Sequence, residues 1–255
     1  MKKTCFATLL MLAAVSVATA QTVIRVNKTD KSVMEIPVDD ISSVDFVEPE
    51  SRAVDLGLSV LWSSVNIGAE KPEDYGWYLA YGEMSEKLHY SYAYYSLLDN
   101  QGSMLPNYYI SGTELDAATV LWGEQWHMPT LEEAKELIEK CAWKWEELNG
   151  VKGMRVTGTN GNSIFLPATG ECSCTHSEKT TYLEPGTCDG YTPSNPISAG
   201  VYAQYRIGQL AQWENGNWSR ENSRYFHIVI SNPTGASIGS GYRYTGWPVR
   251  PVKSK

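Results

Sequence analysis

The sequence predicts an α+β fold with few helices, long loops and an irregular, mostly antiparallel sheet. Short runs in which apolar and polar residues alternate recur along much of the 255-residue chain, and this is the period of half-buried strands. Helix signals occur in two places, and a long polar stretch between Gly170 and Ala199 separates the later strand candidates. With 42% hydrophobic and 20% charged residues the chain can build a packed core, so wholesale disorder is excluded.

The first twenty residues are typical of a secretory signal peptide. Lys2 and Lys3 precede a short apolar run, which Ala18-Thr19-Ala20 ends with a small-x-small cleavage site. The run is shorter than the ~20 residues that span a bilayer, and no later stretch is apolar enough to do so. We therefore expect cleavage after Ala20 and an exported protein that is periplasmic, bound at the cell surface or extracellular.

The residues after the signal peptide predict a short β segment. Thr22–Val26 and Ser32–Pro37 alternate around a polar turn, and Ser43–Val47 is a third alternating run. So few residues bury little surface by themselves. We therefore expect residues 22–47 to pack on another element or to pair with a strand of an assembly partner. The expected division of the chain is a signal peptide at 1–20, the β segment at 21–48 and the main domain at 53–255.

The main domain is expected to contain one clear and one short helix. Asp116 can cap the short helix over Ala117–Leu121. The clear helix starts at a capping box, in which Thr130 and Glu133 satisfy each other's free backbone donors. Apolar residues then recur at helical spacing along one face. They are Leu131, Ala134, Leu137, Ile138 and Cys141.

Strand candidates make up most of the remaining domain. Val54–Trp62 opens the domain with strand-forming residues interrupted by a glycine. After the clear helix, five further runs favour strands. They are Met154–Thr157, Ser163–Leu166, Gly200–Ala203, Tyr225–Ile230 and Trp247–Val252. By its composition, Ser237–Gly241 is instead expected to be a flexible polar run.

Four cysteines remain in the expected mature chain, and an even count in an oxidising compartment indicates disulfides. Cys172 and Cys174 are two residues apart, so the shortest loop closure pairs Cys188 with one of them. The run from Cys172 to His176, with Cys188, could also bind zinc, but its spacing is not a common zinc pattern and export favours disulfides. Cys141 is expected to be either a buried thiol or the partner of the remaining cysteine.

The charge balance and the aromatic composition bear on the class of partner. The chain has 21 basic and 29 acidic residues, which is a formal charge of −8. Nucleic acids and anionic membranes attract proteins through Lys and Arg, so neither is expected as a partner. The 16 Tyr and 9 Trp, against 4 Phe, favour a ligand-binding surface, although such residues also build cores.

An ordered set of motifs runs through residues 53–252. In order they are Val54-Asp-Leu-Gly-Leu-Ser-Val-Leu-Trp62, Asn66-Ile-Gly-Ala69, Tyr81-Gly-Glu83, Trp122-Gly-Glu-Gln-Trp-His-Met-Pro-Thr130, Gly161-Asn-Ser-Ile-Phe-Leu-Pro-Ala-Thr-Gly170 and Gly246-Trp-Pro-Val-Arg-Pro-Val252. As a set they resemble the Fibrobacter succinogenes major paralogous domain, a family of secreted proteins of gut bacteria. The short β segment also resembles the leader modules that often precede such domains.

The resemblance implies a C-type-lectin-like fold, similar to receptor proteins diversified by retroelements and to the core of the formylglycine-generating enzyme. In such folds, ligands usually meet the irregular half that the later loops and strands build. The chain departs from the family there: Val201–Tyr205 stands where many relatives carry Tyr-Trp-Ser-Ser, and the cysteine-bearing stretch before it is longer. Both departures fit a changed ligand specificity, and sequence drift would look the same.

Catalytic residues are not expected. The four histidines are scattered without ligand-like spacing: His89, His127, His176 and His227. His127 lies within a motif and is expected to be structural. No phosphate loop, nucleophile elbow or zinc-protease motif is present. We therefore predict a non-catalytic protein without a cofactor or metal, since calcium also has no dense acidic run to bind it.

The expected binding residues lie in the late polar segments. Aromatic residues among amides and arginines can stack on sugar rings or hold a protein surface. The candidate ligand-binding residues are Tyr202, Gln204, Tyr205, Arg206, Trp213, Trp218, Tyr242, Arg243 and Tyr244. Arg250, between Val249 and Pro251, is instead expected to be a buried structural residue.

The predicted function is an adhesin-like binding module, secreted or at the cell surface, for an extracellular glycan or protein ligand. The first alternative is a structural subunit of a surface assembly, such as a fimbria or an adhesin, with residues 22–47 making the contact. A formylglycine-type enzyme is less favoured, because no cysteine can be aligned with that enzyme's arrangement. Exposed late aromatics would favour binding, an open strand edge in residues 22–47 would favour assembly, and a cysteine pair facing a cleft would favour the enzyme.

Overall fold

The chain divides into two compact units, residues 1–48 and residues 49–255. The structure, a computed structural model, describes residues 22–27, 32–40, 52–98, 109–173, 192–210, 224–231 and 235–255. The described parts hold mostly antiparallel strands and two α-helices, so the α+β class is confirmed. None of the helices in these parts is long and apolar enough to cross a membrane.

The amino-terminal unit is a β-hairpin. β1 (Val23–Asn27) pairs antiparallel with β2 (Val33–Pro37), as the alternating pattern predicts. Arg25 and Glu35 lie opposite each other and form an exposed ion pair with an N···O distance of 2.6 Å. The expected third strand, Ser43–Val47, lies outside the described residues.

The described part of the main unit holds ten strands and two helices. In chain order they are β3 (Ala53–Asp55), β4 (Val60–Ser63), α1 (Ala117–Trp122), β5 (Trp126–His127), α2 (Leu131–Lys140), β6 (Ala142–Leu148), β7 (Val151–Thr157), β8 (Ser163–Pro167), β9 (Tyr202–Leu210), β10 (Arg224–Ser231), β11 (Gly235–Tyr242) and β12 (Val252–Ser254). The strands form antiparallel sheets with the orders β3-β4-β12-β5, β6-β7-β8 and β11-β10-β9.

Both helices begin where their caps predict. At α1, the Asp116 carboxylate accepts hydrogen bonds from the N–H groups of Ala118 and Thr119. At α2, Thr130 accepts from the Glu133 N–H, and the Glu133 carboxylate accepts from the Thr130 N–H, which completes the expected capping box. The predicted apolar face of α2 is also confirmed, because four of its five residues are buried and the fifth packs against the core.

The largest part of the core contains residues of α2 and of all three sheets of the main unit. Leu137 of α2 shares a cluster with Val156 of β7, Ile164 of β8 and Ile207 of β9. Side chains alternate between the two faces of a strand. Ala203, Tyr205 and Ile207 of β9 belong to this cluster, and the positions between them lie on the other face of the strand. Only Tyr202 and Gln204 of β9 are half-buried, because the strand is buried from Tyr205 to Leu210.

Tyrosines also build the interior. Tyr78, Tyr90, Tyr95 and Tyr205 are buried, and each of their hydroxyls donates a hydrogen bond to a backbone carbonyl. A buried phenol is tolerated when its polar tip has a partner. The high tyrosine count therefore reflects the core as well as the surface.

Arg250 is buried and structural, as predicted. Its Nε donates to Asn66 Oδ1 at 2.7 Å, and its two terminal nitrogens donate to the carbonyls of Ser63 at 3.0 Å and Phe165 at 2.9 Å. One side chain thereby joins three of the sequence motifs. The charge is retained in the interior because it replaces its lost water contacts with three hydrogen bonds.

The expectation of a flexible run at Ser237–Gly241 is wrong, because this segment is the middle of strand β11. β11 pairs with β10 along its whole length. Glycine is needed at Gly241, where a Cβ atom would lie 2.4 Å from the Trp247 ring. Pairing with a neighbouring strand therefore overrules the low intrinsic strand propensity of glycine and serine.

Candidate functional site

The nine candidate binding residues fall into three groups. Three are only 1% exposed and belong to the interior: Tyr205, Arg206 and Arg243. Two lie outside the described residues: Trp213 and Trp218. Four are half-buried and reach the surface: Tyr202, Gln204, Tyr242 and Tyr244.

The interior residues make structural contacts, which corrects the expectation that they touch a ligand. Arg206 Nε donates to the Leu79 carbonyl at 2.9 Å, and the Arg206 guanidinium lies 5.2 Å from the centroid of the Trp247 ring. The Arg243 guanidinium lies 5.8 Å from the centroid of the Tyr81 ring. Side chains enclosed in this way cannot reach an external ligand, so we remove them from the candidate site.

Tyr202 and Gln204 converge on a carboxylate that the sequence did not single out, that of Glu171. Glu171 Oε2 accepts hydrogen bonds from Gln204 Nε2 and from Trp247 Nε1, both at 2.9 Å. The Tyr202 hydroxyl lies close enough to Glu171 for the carboxylate to raise the pKa of Tyr202. Two neutral side chains therefore hold one carboxylate beside the Tyr202 hydroxyl, and we call Glu171, Tyr202, Gln204 and Trp247 the Glu171 cluster.

Backbone hydrogen bonds fix the position of Glu171. Its N–H donates to the Ile197 carbonyl at 3.1 Å, and the Ile197 N–H donates back at 2.8 Å. The preceding Gly170 donates to the Tyr202 carbonyl at 2.8 Å and has a φ of 67°. A Cβ at Gly170 would lie 2.0 Å from the Ile197 carbonyl oxygen, so a side chain does not fit there. Glycine thus lets the chain turn Glu171 toward β9.

The same segment places Trp247. Cys172 and Gly246 exchange two backbone hydrogen bonds, of 3.0 and 2.7 Å. Trp247 follows directly, is 2% exposed and packs its ring against Gly241 of β11. The Glu171 cluster therefore joins two segments remote in sequence to both edge strands of the β11-β10-β9 sheet.

The register of the sheet extends this polar face beyond β9. Val229 of β10 pairs with Gln204 on one side and with Ser237 of β11 on the other. Residues directly opposite each other in antiparallel strands present their side chains on one face. Gln204 and the exposed Ser237 therefore share a face, about 10 Å apart across two strand spacings.

The Glu171 cluster holds a carboxylate that forms no ion pair with a basic side chain of the described residues. Burial and the nearby Glu171 charge raise the pKa of the Tyr202 hydroxyl, so this hydroxyl stays protonated at neutral pH. The site thus offers a negatively charged acceptor in fixed geometry.

Tyr242 and Tyr244 form a second aromatic group. Their rings stack with centroids 5.1 Å apart and planes 9° from parallel, and Tyr92 meets Tyr244 edge-on at 6.4 Å. Tyr242 directly follows Gly241, against which Trp247 packs. Aromatic faces held by such contacts bind a ligand with little loss of side-chain entropy.

The described cysteines hold no disulfide or metal. Cys141 and Cys172 are buried free thiols, and Cys174 and Cys188 lie outside the described residues. Burial raises the pKa of the Cys172 thiol, which keeps it protonated and poorly nucleophilic. Across the described ranges, no group of three or more His, Cys, Asp or Glu side chains could hold a metal ion.

His127 has the structural role expected of it. Its Nε2 lies 3.0 Å from Glu133 Oε1, at the capping box of α2. Burial alone would lower the pKa of His127, but the hydrogen bond and the charge of Glu133 raise it above its ordinary value. Burial opposes ionisation of Glu133 as well, yet the bonds from His127 and Thr130 lower the pKa of Glu133. Each partner therefore stabilises the charge of the other.

Sequence reasoning missed Glu171 and the bond it accepts from Trp247. The two residues are 76 positions apart, and neither belongs to a pattern of known chemistry. One signal was available: Glu171 directly follows the motif that ends at Gly170, so an acidic residue stands where the chain leaves a buried segment.

Comparison with known proteins yields no match: no family model, no curated protein and no solved structure corresponds to this chain. The candidate site is therefore defined by its geometry alone.

Proposed function

We propose that the protein is a non-catalytic binding module, secreted or displayed at the cell surface, that recognises a glycan or a protein ligand. The Glu171 cluster carries the proposal, because it holds a carboxylate, an amide and a phenol in fixed positions on a half-buried face. Polar groups of this kind beside aromatic rings are suited to sugar rings and to protein surfaces. Their placement on a strand and a pinned turn lowers the entropy cost of binding.

We further propose that the main domain has a C-type-lectin-like fold and is a relative of the Fibrobacter succinogenes major paralogous domain. Few helices, mostly antiparallel sheets and long connections support this assignment. The motifs behave as parts of one framework, since Arg250 of the last motif bonds to Asn66 of the second and to Phe165 of the fifth. Export is proposed from the signal peptide at residues 1–20.

Within this proposal, Tyr202, Gln204 and Glu171 contact the polar groups of the ligand. Tyr242 and Tyr244 provide an adjoining aromatic surface. Trp213 and Trp218 stay candidates on sequence grounds. The buried Arg206 supports the site, because its guanidinium packs on the Trp247 ring, whose indole N–H donates to Glu171.

The test is a binding screen of the mature protein, from Gln21 onward, against glycans and extracellular proteins. Tyr202→Ala and Gln204→Ala should each weaken a specific interaction about tenfold or more, the effect of removing a central contact. Val120→Ala, on the exposed side of α1, is the matched control and should bind as the wild type does. Retained binding in both site variants would remove the Glu171 cluster as the site.

A second candidate function, a subunit of a surface assembly, is favoured by the amino-terminal hairpin. Six of its apolar side chains are 38–55% exposed: Val23, Ile24, Val26, Val33, Met34 and Val38. A two-stranded hairpin with exposed apolar residues is marginal alone, so a partner would stabilise it. Sedimentation of the mature protein and of Ile24→Lys tests this: an assembly that the substitution dissociates supports it, and a monomer in both samples excludes self-assembly through this face.

A further inference from the structure

Among the residues that the structure describes, no basic side chain forms an ion pair with Glu171. Its carboxylate accepts hydrogen bonds from the Gln204 amide and the Trp247 indole, both of which are neutral, and the protonated Tyr202 hydroxyl lies near it. These bonds orient the carboxylate but leave its full negative charge uncompensated by any ion pair in the described chain. Most other carboxylates that hold tertiary contacts here have a basic neighbour: Glu83 bonds to Lys87, Glu133 to His127 and Glu146 to Arg155.

The free-energy cost of burying the Glu171 charge depends on which ligand group covers the carboxylate. Glu171, Tyr202 and Gln204 are half-buried, so in the free protein water still solvates the carboxylate. A ligand bound over these residues removes that water. A neutral ligand would leave a desolvated charge without a counter-ion, which is costly, whereas a cationic group would complete an ion pair.

The surroundings also favour a cation. The chain carries a formal charge of −8, which raises the local concentration of positively charged ligands. The Tyr202 ring lies in the cluster, and aromatic faces attract ammonium groups.

We propose that the ligand is a glycan that carries a free primary ammonium group, and that Glu171 is the counter-charge for this group. The proposal rests on the proposed function, because it names the ligand class of the same site. Gln204 and the Tyr202 ring then contact the rest of the amino-sugar unit, and Trp247 holds the carboxylate in place from the buried side.

The test compares two oligosaccharides that share one skeleton and differ in charge: a glucosamine hexamer with free amines and its fully N-acetylated counterpart. Calorimetry with the mature protein should show one site that prefers the free-amine hexamer by about tenfold or more, as for a partly desolvated charge pair. Added salt should weaken this binding, because the interaction includes an ion pair.

Glu171→Gln keeps the shape of the side chain and removes its charge, so it should abolish the preference between the two hexamers. Glu139→Gln, on the exposed face of α2, changes the net charge equally and should retain the preference. A thermal melt of each variant establishes that it is folded. The wild-type comparison of the two hexamers needs no variant, so it decides the matter even where Glu171→Gln is unstable.

The outcomes separate the two proposals. Equal binding of both hexamers, lost in Tyr202→Ala, would overturn the ammonium proposal and leave the binding module standing. Binding of a lysine-rich peptide with no binding of either hexamer would likewise overturn the amino-sugar assignment. A free-amine preference that Glu139→Gln and Glu171→Gln abolish alike would reduce the effect to net charge. Absence of any ligand in the broad screen would overturn the binding module itself, and the ammonium proposal with it.

Discussion

Replacing Asp116 by asparagine should unfold the main domain far more readily than its conservative size suggests. Asp116 is fully buried, and its two oxygens accept from four backbone donors. Oδ1 accepts from Ala118 at 2.8 Å and Thr119 at 3.2 Å, which caps α1. Oδ2 accepts from Gly112 at 2.7 Å and Met128 at 2.8 Å, which ties the preceding loop and the residue just after β5 to the same carboxylate.

The magnitude follows from what asparagine can accept. Its single carbonyl oxygen can replace one carboxylate oxygen, while its NH₂ group then faces two N–H donors. Each buried donor without an acceptor costs about 1–3 kcal/mol, so Asp116→Asn should lose about 2–6 kcal/mol. Asp116→Ala also loses the cap, for a total of about 3–7 kcal/mol.

Urea titration followed by tryptophan fluorescence measures these losses, with equal slopes required for the comparison of midpoints. Asp74→Asn is the matched control. Asp74 accepts from the N–H groups of Glu70 and Lys71 through one oxygen, which asparagine can supply, so the change should stay within about 0.5 kcal/mol. If Asp116→Asn were as stable as Asp74→Asn, the four-donor reasoning would be refuted.

Three further predictions follow from the site and its supports. The pKa of His127 is raised, so this residue stabilises the folded state at pH values below 6.5, its ordinary pKa. The pKa of Glu133 is lowered, so this residue stabilises the folded state at pH values above 4.5, its ordinary pKa. Both contributions are therefore present together between those two pH values. His127→Gln should therefore lower the free energy of unfolding more at about pH 5.5 than at about pH 8.5, and an equal loss at both would contradict the ion pair. Gly241→Ala should lower the free energy of unfolding by about 1–3 kcal/mol, because the added methyl group displaces the Trp247 ring. Ser237→Ala, at an exposed position of the same strand, is the control and should leave the stability unchanged. Equal urea midpoints of the two variants would disprove the close approach of Gly241 to Trp247. Iodoacetamide should alkylate Cys141 and Cys172 only after unfolding, because burial encloses both thiols and raises their pKa; rapid labelling of the native protein in mass spectrometry would count against this.

Features that depend on neighbours along the chain could be predicted. The Asp116 cap and the Thr130–Glu133 capping box each span three residues, so the sequence shows every group involved. Strands β1, β2, β7 and β8 were recognisable because alternation reports which side chains one face buries. β9 was placed only in part, since the expected run ended at Ala203 while the strand continues to Leu210.

Features that depend on residues distant in sequence could not be predicted from the sequence. β11 is a strand because β10 lies beside it, and its glycines and serines argue for a loop when read alone. Arg206 looks like a surface residue until the carbonyls of Leu79 and Thr245 are known to surround it. Burial by residues distant in sequence also explains why the predicted binding residues of the late segments include both surface and interior positions.

The sequence by itself therefore determined the fold class and the two helices with their caps, because these follow from local chemistry and from the period of the apolar residues. Only the tertiary structure decided which of the candidate residues reach the surface, and that Tyr202 and Gln204 lie beside the carboxylate of Glu171. The physical reason is that the Glu171 cluster is made by hydrogen bonds across 33 and 76 positions, and contacts over such distances exist only once the chain has folded.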